Sequence, residues 1–172
     1  RDSYWIFQRI TRGQNVVGGE LGQSSGPTVI IECTPLPIKT RAKVFHEGID
    51  MHVPSIRRIP PECLSPSVKS HNYLNLVLAD LEVRGKGPNA WAILLDTRGF
   101  LCEGIGCNLF LVRNGCLLTP RSQYVLAGVS RQTVIELAEK LGIPVIEDDL
   151  LPYDVLNACL LYTSDAADES SS

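Results

Sequence analysis

In SVKSHNYLNLVLADLE, residues 67–82, Lys69 stands among Ser, His and Asn just ahead of a segment that reads as a helix from Asn75. A lysine there is well placed for covalent chemistry with a carbonyl, because its amine is a nucleophile once deprotonated. In FLCEGIGCNLFLV, Glu103 lies inside an apolar strand context. A carboxylate in that setting needs a partner, since burying an unpaired charge is costly. A nearby arginine could supply it, and so could a ligand's protonated nitrogen. In LAGVSRQTVIELA, a short glycine turn at Gly128 runs straight into a helix N-terminus. The first amides of a helix have no internal partners and favour an anion, phosphate above all. Ser130 can add a hydroxyl and Arg131 a charge; the plainer reading makes Ser130 only an N-cap.

Two other glycine patterns fail. GIGCNL, from Gly104, has Leu109 where a dinucleotide loop needs its last glycine, and a strand rather than a helix follows. GVSRQ, from Gly128, has Gln132 where a nucleophile elbow closes on glycine, and no histidine lies downstream.

The elements that must carry these groups follow from period and punctuation. YWIFQRITR (4–12) and TVIIEC (28–33) read as strands flanking a Gly/Ser-rich loop. KVFHEGIDMHVPSIRRI holds a turn at Glu47-Gly48 and a further strand, and PPECLSPS is a connector leading to Lys69. Gly85, Gly87 and Pro88 stop the helix. AWAILL, FLCEGI and NLFLV read as strands, and Asn114-Gly115 marks a hairpin returning through CLLTP. SRQTVIELAEKLGI is a helix with Val134, Ile135, Ala138 and Leu141 on one face and Gly142 as its stop. PVIEDDLL is a last strand. Strands, helix, meander, helix and strand predict an α+β, mixed α/β fold.

Composition narrows the partners. Of 172 residues, 44% are hydrophobic and 20% charged, which suits a packed globular core. A net charge of −3 argues against nucleic acid or an anionic membrane surface. No apolar run approaches the ~18 residues of a membrane span, and no signal peptide opens the chain, so a cytoplasmic setting is expected. Six cysteines at irregular spacing, with no C-x-x-C pair, are expected as free, buried thiols. Cys102, Cys107 and Cys116 find no histidine at ligand-like spacing, so no metal site is assigned.

An amine, a strand carboxylate and a phosphate-type helix start are the three handles that pyridoxal phosphate needs. KSHNYLNLVLADLE, EGIGCNLFLVRNG and LAGVSRQTVIELAEKLGI resemble the three signatures of the class IV aminotransferases, the fold-type IV pyridoxal-phosphate enzymes. The match spans roughly residues 4–158. The resemblance implies the fold-type IV architecture, with 1–45 as the end of a small α/β domain and 46–158 as most of the cofactor-binding domain. It implies pyridoxal 5'-phosphate held by Lys69 through a Schiff base, with Glu103 on the pyridine nitrogen. Leu126, Gly128, Val129 and Ser130 match the ring and phosphate loop, and Arg131 follows as a structural residue. Tyr73 resembles the family tyrosine near the ring oxygen, although it lies one residue closer to the lysine than in the branched-chain enzymes. The implied reaction moves an amino group between an amino acid and a 2-oxo acid, in a homodimer. A branched-chain substrate comes first; a D-amino acid aminotransferase, an aminodeoxychorismate lyase or an inactive fragment are the alternatives.

The ends depart from the pattern. The chain opens without Met and without the upstream phosphate-binding arginine of the family. Residues 159–172, CLLYTSDAADESSS, have no period and resemble translated adapter sequence. An internal fragment with a non-native tail is therefore expected, lacking the strand after Ala158 and binding its cofactor weakly.

Overall fold

The computed structural model describes residues 3–165 apart from Leu21. The chain divides into two compact units, Arg1–Gly48 and Ile49–Ser172. The break falls at Gly48, whose φ of 80° is open to glycine.

In the first unit, β1 (Tyr4–Thr11) and β2 (Thr28–Pro35) form an antiparallel pair in register Tyr4↔Pro35 to Thr11↔Thr28. Arg9 and Glu32 form an ion pair on neighbouring strands. The helix α1 (Ile38–Glu47) occupies residues that the sequence reading left as a turn approach. Its signals are weak: Pro37 precedes it, Lys43 and Glu47 are one turn apart, and Gly48 ends it by donating to the Val44 carbonyl.

The second unit is a mixed sheet with helices. Its strands are β3 (Asp50–His52), β4 (Ala90–Leu95), β5 (Leu101–Gly104), β6 (Cys107–Arg113), β7 (Cys116–Pro120) and β8 (Val145–Asp148), hydrogen-bonded in that order. β3–β4 and β7–β8 are parallel and the pairs between them antiparallel. The crossovers are α2 (Leu74–Val83) and α3 (Val129–Lys140). Asn114 and Gly115 both have positive φ, 52° and 75°, as a two-residue hairpin turn requires.

β4 is buried on both faces. Ala92 and Leu94 meet Leu76, Ala79 and Val83 of α2, while Ile93 and Leu95 join Leu109, Leu111 and Leu118 in the main core. On α3, Ile135 and Ala138 are buried, but Leu141 lies past the helix end and is exposed. Gly142 turns the chain there with φ 71°, and the Ile143 amide closes onto the Ala138 carbonyl. None of the cysteines is in a disulfide; Cys102 and Cys107 are buried and Cys33, Cys63 and Cys159 are exposed, so burial holds for only part of the set. Burial pushes the Cys102 thiol up to about 12, which keeps it protonated and unreactive.

The end of the chain differs from expectation. A short helix, α4 (Pro152–Leu156), follows β8, and β9 (Leu160–Asp165) pairs antiparallel with β6 from Val112↔Leu160 to Cys107↔Asp165. The stretch read as a non-native tail without period thus forms a strand after Ala158, where a missing strand was expected. Its apolar and aromatic residues Leu160, Leu161 and Tyr162 suit a strand, and β6 offers an open ladder edge. Residues 166–172 of the expected tail lie outside the described residues. Among the described residues no helix is long and apolar enough to cross a membrane.

Candidate active site

One cleft in the second unit is lined by Lys69, Tyr73, Glu103 and Leu126, together with Arg58, Ser65, Ser70, Asn72, Gly104 and Gly106. Residues 34 positions apart along the chain, Lys69 and Glu103, therefore face one space. Gly128, Val129 and Ser130 are not in the lining; they follow Leu126 closely and open α3.

Lys69 is exposed, in the irregular segment ahead of α2. Tyr73 is half-buried at the N-cap of α2, packs against the α2–β4 cluster and meets the His71 ring edge-on at 6.0 Å.

Glu103 sits on β5, and its place depends on the next residue. A Cβ at Gly104 would lie 2.7 Å from the Ala92 carbonyl oxygen and 2.6 Å from the Cys107 sulfur, so only glycine lets β5 run this close to β4. Glu103 Oε1 accepts from Arg58 Nε at 3.1 Å and lies 2.9 Å from Arg58 Nη2. Its Oε2 accepts the Leu126 amide at 2.8 Å. The arginine partner foreseen as the plain reading is Arg58, a residue the sequence did not single out. That bond leaves Oε2 a further lone pair for a donor in the cleft. Burial pushes the Glu103 carboxyl above its usual range, while the Arg58 charge and the Leu126 amide pull it back.

Arg58 is itself held in place. Its amide donates to the Leu95 carbonyl at 2.8 Å. Just before it, the Ser55 amide and hydroxyl donate to Glu82 of α2 at 2.7 and 2.8 Å, and Asn75 donates to the Arg57 carbonyl. The Ser55 amide in turn holds the Glu82 carboxyl below its usual range.

The start of α3 is a helix N-terminus with no side-chain cap. Gly128, not Ser130, is the N-cap. The first amide closed within the helix is that of Gln132, onto Gly128. The amides of Val129, Ser130 and Arg131 have no partner one turn earlier in the helix. Ser130 is therefore the second residue of the helix, which removes its N-cap reading. Arg131 turns inward, 3% exposed, to the Pro120 carbonyl and Glu147, as a structural residue.

Comparison with known proteins gives the family. The amino-transferase class IV family matches residues 8–167. The chain belongs to the class IV aminotransferase family. It is 39% identical over 170 residues to a Methanocaldococcus jannaschii protein provisionally named as a branched-chain-amino-acid aminotransferase, covering 98% of this chain and 57% of that one. The Escherichia coli K12 branched-chain-amino-acid aminotransferase is 36% identical over 140 residues, 77% of this chain and 45% of that one. The crystal structure of the Escherichia coli branched-chain enzyme superposes with a TM-score of 0.86 at 33% identity, over 95% of this chain and 54% of that one. The mixed α/β architecture is thus that of the class IV aminotransferase fold. The chain spans about half the length of the curated relatives it matches.

Proposed function

We propose that this chain is the cofactor-binding part of a pyridoxal-phosphate-dependent aminotransferase acting on a branched-chain amino acid and a 2-oxo acid. The observation that carries the reading is that Lys69, Glu103 and Leu126 line one cleft. The donor set fits the group chemically: an amine for its aldehyde, a carboxylate for its ring nitrogen, and an uncapped helix start for its phosphate. A further branched-chain amino acid aminotransferase, 26% identical with a TM-score of 0.73, has been solved with N-(5'-phosphopyridoxyl)-L-glutamate, which supports that choice.

Pyridoxal phosphate supplies an electron sink for the charge left when the substrate's α-proton departs. Lys69 would hold the cofactor's aldehyde, and its amine, once displaced by the substrate amine, would carry the substrate's α-proton. Glu103 would hold a proton on the ring nitrogen through the remaining acceptor capacity of Oε2. Leu126 would pack beside the ring, and the amides of Val129 and Ser130 would bind the phosphate behind the Gly128 turn. Tyr73 would stand near the ring oxygen and steady its charge. The names of the relatives support a branched-chain substrate. The short Lys69–Tyr73 spacing keeps a D-amino acid as the second reading. The parent is read as a homodimer of the cytoplasm, with residues up to about 45 from its small domain and 46–158 from its large one. Residues 159–172 are read as non-native sequence.

The test is a titration of this chain with pyridoxal phosphate, followed by single turnovers with L-leucine and with D-alanine. Absorbance at the visible edge that L-leucine bleaches supports the reading. Bleaching by D-alanine alone moves it to the D-amino acid enzymes, and no cofactor band at all refutes it.

A further inference from the structure

We propose that Asn108 is a positioning residue that fixes the Leu126 segment, so that the ring partner Glu103 and the phosphate turn of α3 are presented together; this rests on the pyridoxal-phosphate reading above. Gly104 pairs with Cys107 across the tight turn between β5 and β6. Glu103 is the residue before this pair on β5 and Asn108 the residue after it on β6. Both are sealed from solvent, 4% and 1% exposed.

Both reach the same residue. Glu103 Oε2 accepts the Leu126 amide at 2.8 Å, and Asn108 Nδ2 donates to the Leu126 carbonyl at 3.0 Å. That carbonyl also accepts the Gly128 amide at 2.8 Å. Leu126 is therefore gripped at both its backbone groups by two side chains of one hairpin, and the N-cap of α3 hangs from the same oxygen. Leu126 lines the cleft and Gly128 starts the helix whose first amides are free for an anion. A shift of this one residue would move ring packing, the Glu103 carboxylate and the phosphate amides at once.

The chemistry of the side chain supports a role for its donor. Aspartate has the same shape but is acceptor-only at neutral pH and would face the Leu126 carbonyl with a charge. Leucine has nearly the same shape and no polar atom. Asn108 Oδ1 is buried with no partner among the described residues, a cost that leucine would not carry. Packing alone would be served as well or better by leucine.

Asn108→Leu and Asn108→Asp are compared with the unsubstituted chain in three measurements: melting temperature without cofactor, the dissociation constant for pyridoxal phosphate, and amide exchange across residues 125–130. Asn108→Leu is expected to melt no lower than the parent, yet to bind the cofactor roughly three- to tenfold more weakly, the scale of one lost hydrogen bond. Its amides at 125–130 exchange faster. Asn108→Asp is expected to bind at least as weakly, although its shape is retained. Variants that bind and exchange like the parent overturn the proposal, as does a loss of affinity that only follows a fall in melting temperature. A parent chain that binds no pyridoxal phosphate overturns the functional reading and this proposal together.

Discussion

Arg58 and Glu103 form a buried ion pair, with side chains 12% and 5% exposed and a closest approach of 2.9 Å. They are 45 residues apart and meet because Ser55 and Arg57 are tied to α2 while β5 runs beside β4. A buried pair of this kind depends on both members. Removing one leaves the other charged and dry.

Arg58→Met is therefore expected to destabilise the chain by about 3 kcal/mol, the usual scale for breaking a buried pair. Glu103→Leu should cost a similar amount, and the double variant less than the two together. Denaturant melts of the four proteins give the coupling. A coupling above about 1 kcal/mol is expected; additive losses would mean that the pair is not formed.

Glu103→Gln separates the structural from the chemical part. The amide oxygen can still accept from Arg58, so the fold should survive. It cannot carry the charge that keeps a ring nitrogen protonated. Cofactor affinity is expected to change little, and the single-turnover rate with L-leucine to fall about a hundredfold or more, in line with the loss of one preorganised electrostatic partner. Full turnover at saturating cofactor would make Glu103 a structural acid only.

Gly104→Ala tests the close approach of β5 to β4. With the Ala92 carbonyl in the way, the strand must move, and a cost of about 1–3 kcal/mol is expected. The loss is read from the melting transition. A variant as stable as the parent would contradict the packing described for this strand pair.

Asp154 gives a pH dependence of definite sign. Its carboxylate accepts the Leu151 amide at 2.8 Å and contacts Arg113 of β6 at 2.6 Å, and these hold its pKa below the ordinary 3.8. The folded state thus releases this proton more readily than the unfolded chain. The stabilisation is complete above pH 3.8 and is lost as pH falls through the lower folded value. Asp154→Asn should cost about 1 kcal/mol at neutral pH and progressively less in acid. A cost independent of pH would assign the effect to packing.

Much of the second unit was legible because its signals are local. Gly85, Gly87 and Pro88 follow the end of α2, Asn114-Gly115 fixes one hairpin, and short apolar runs mark β4 to β7. α1 was missed although Ile38, Ala42 and Phe45 fall at i, i+4 and i+7, because TPLP ahead of it was read as the close of a strand and its stop at Gly48 as a turn. β9 was missed because six residues gain strand structure only from an available edge on β6, which no local pattern announces. In the site, Lys69, Glu103 and the α3 turn stood out by residue type against context. Arg58 did not, because an arginine in a polar, Pro-rich stretch looks solvated until the fold brings it to Glu103. Asn108 was invisible for the same reason: its partner, the Leu126 carbonyl, is a backbone group 18 residues away.

The central claim is that Lys69 carries the cofactor. The direct measurement is borohydride reduction of this chain after loading with pyridoxal phosphate, followed by peptide mapping of the fixed label. The label is expected on the peptide containing Lys69, and Lys69→Ala should take none there. A label on Lys39, Lys43, Lys86 or Lys140 instead, with Lys69 unmodified, would contradict the account.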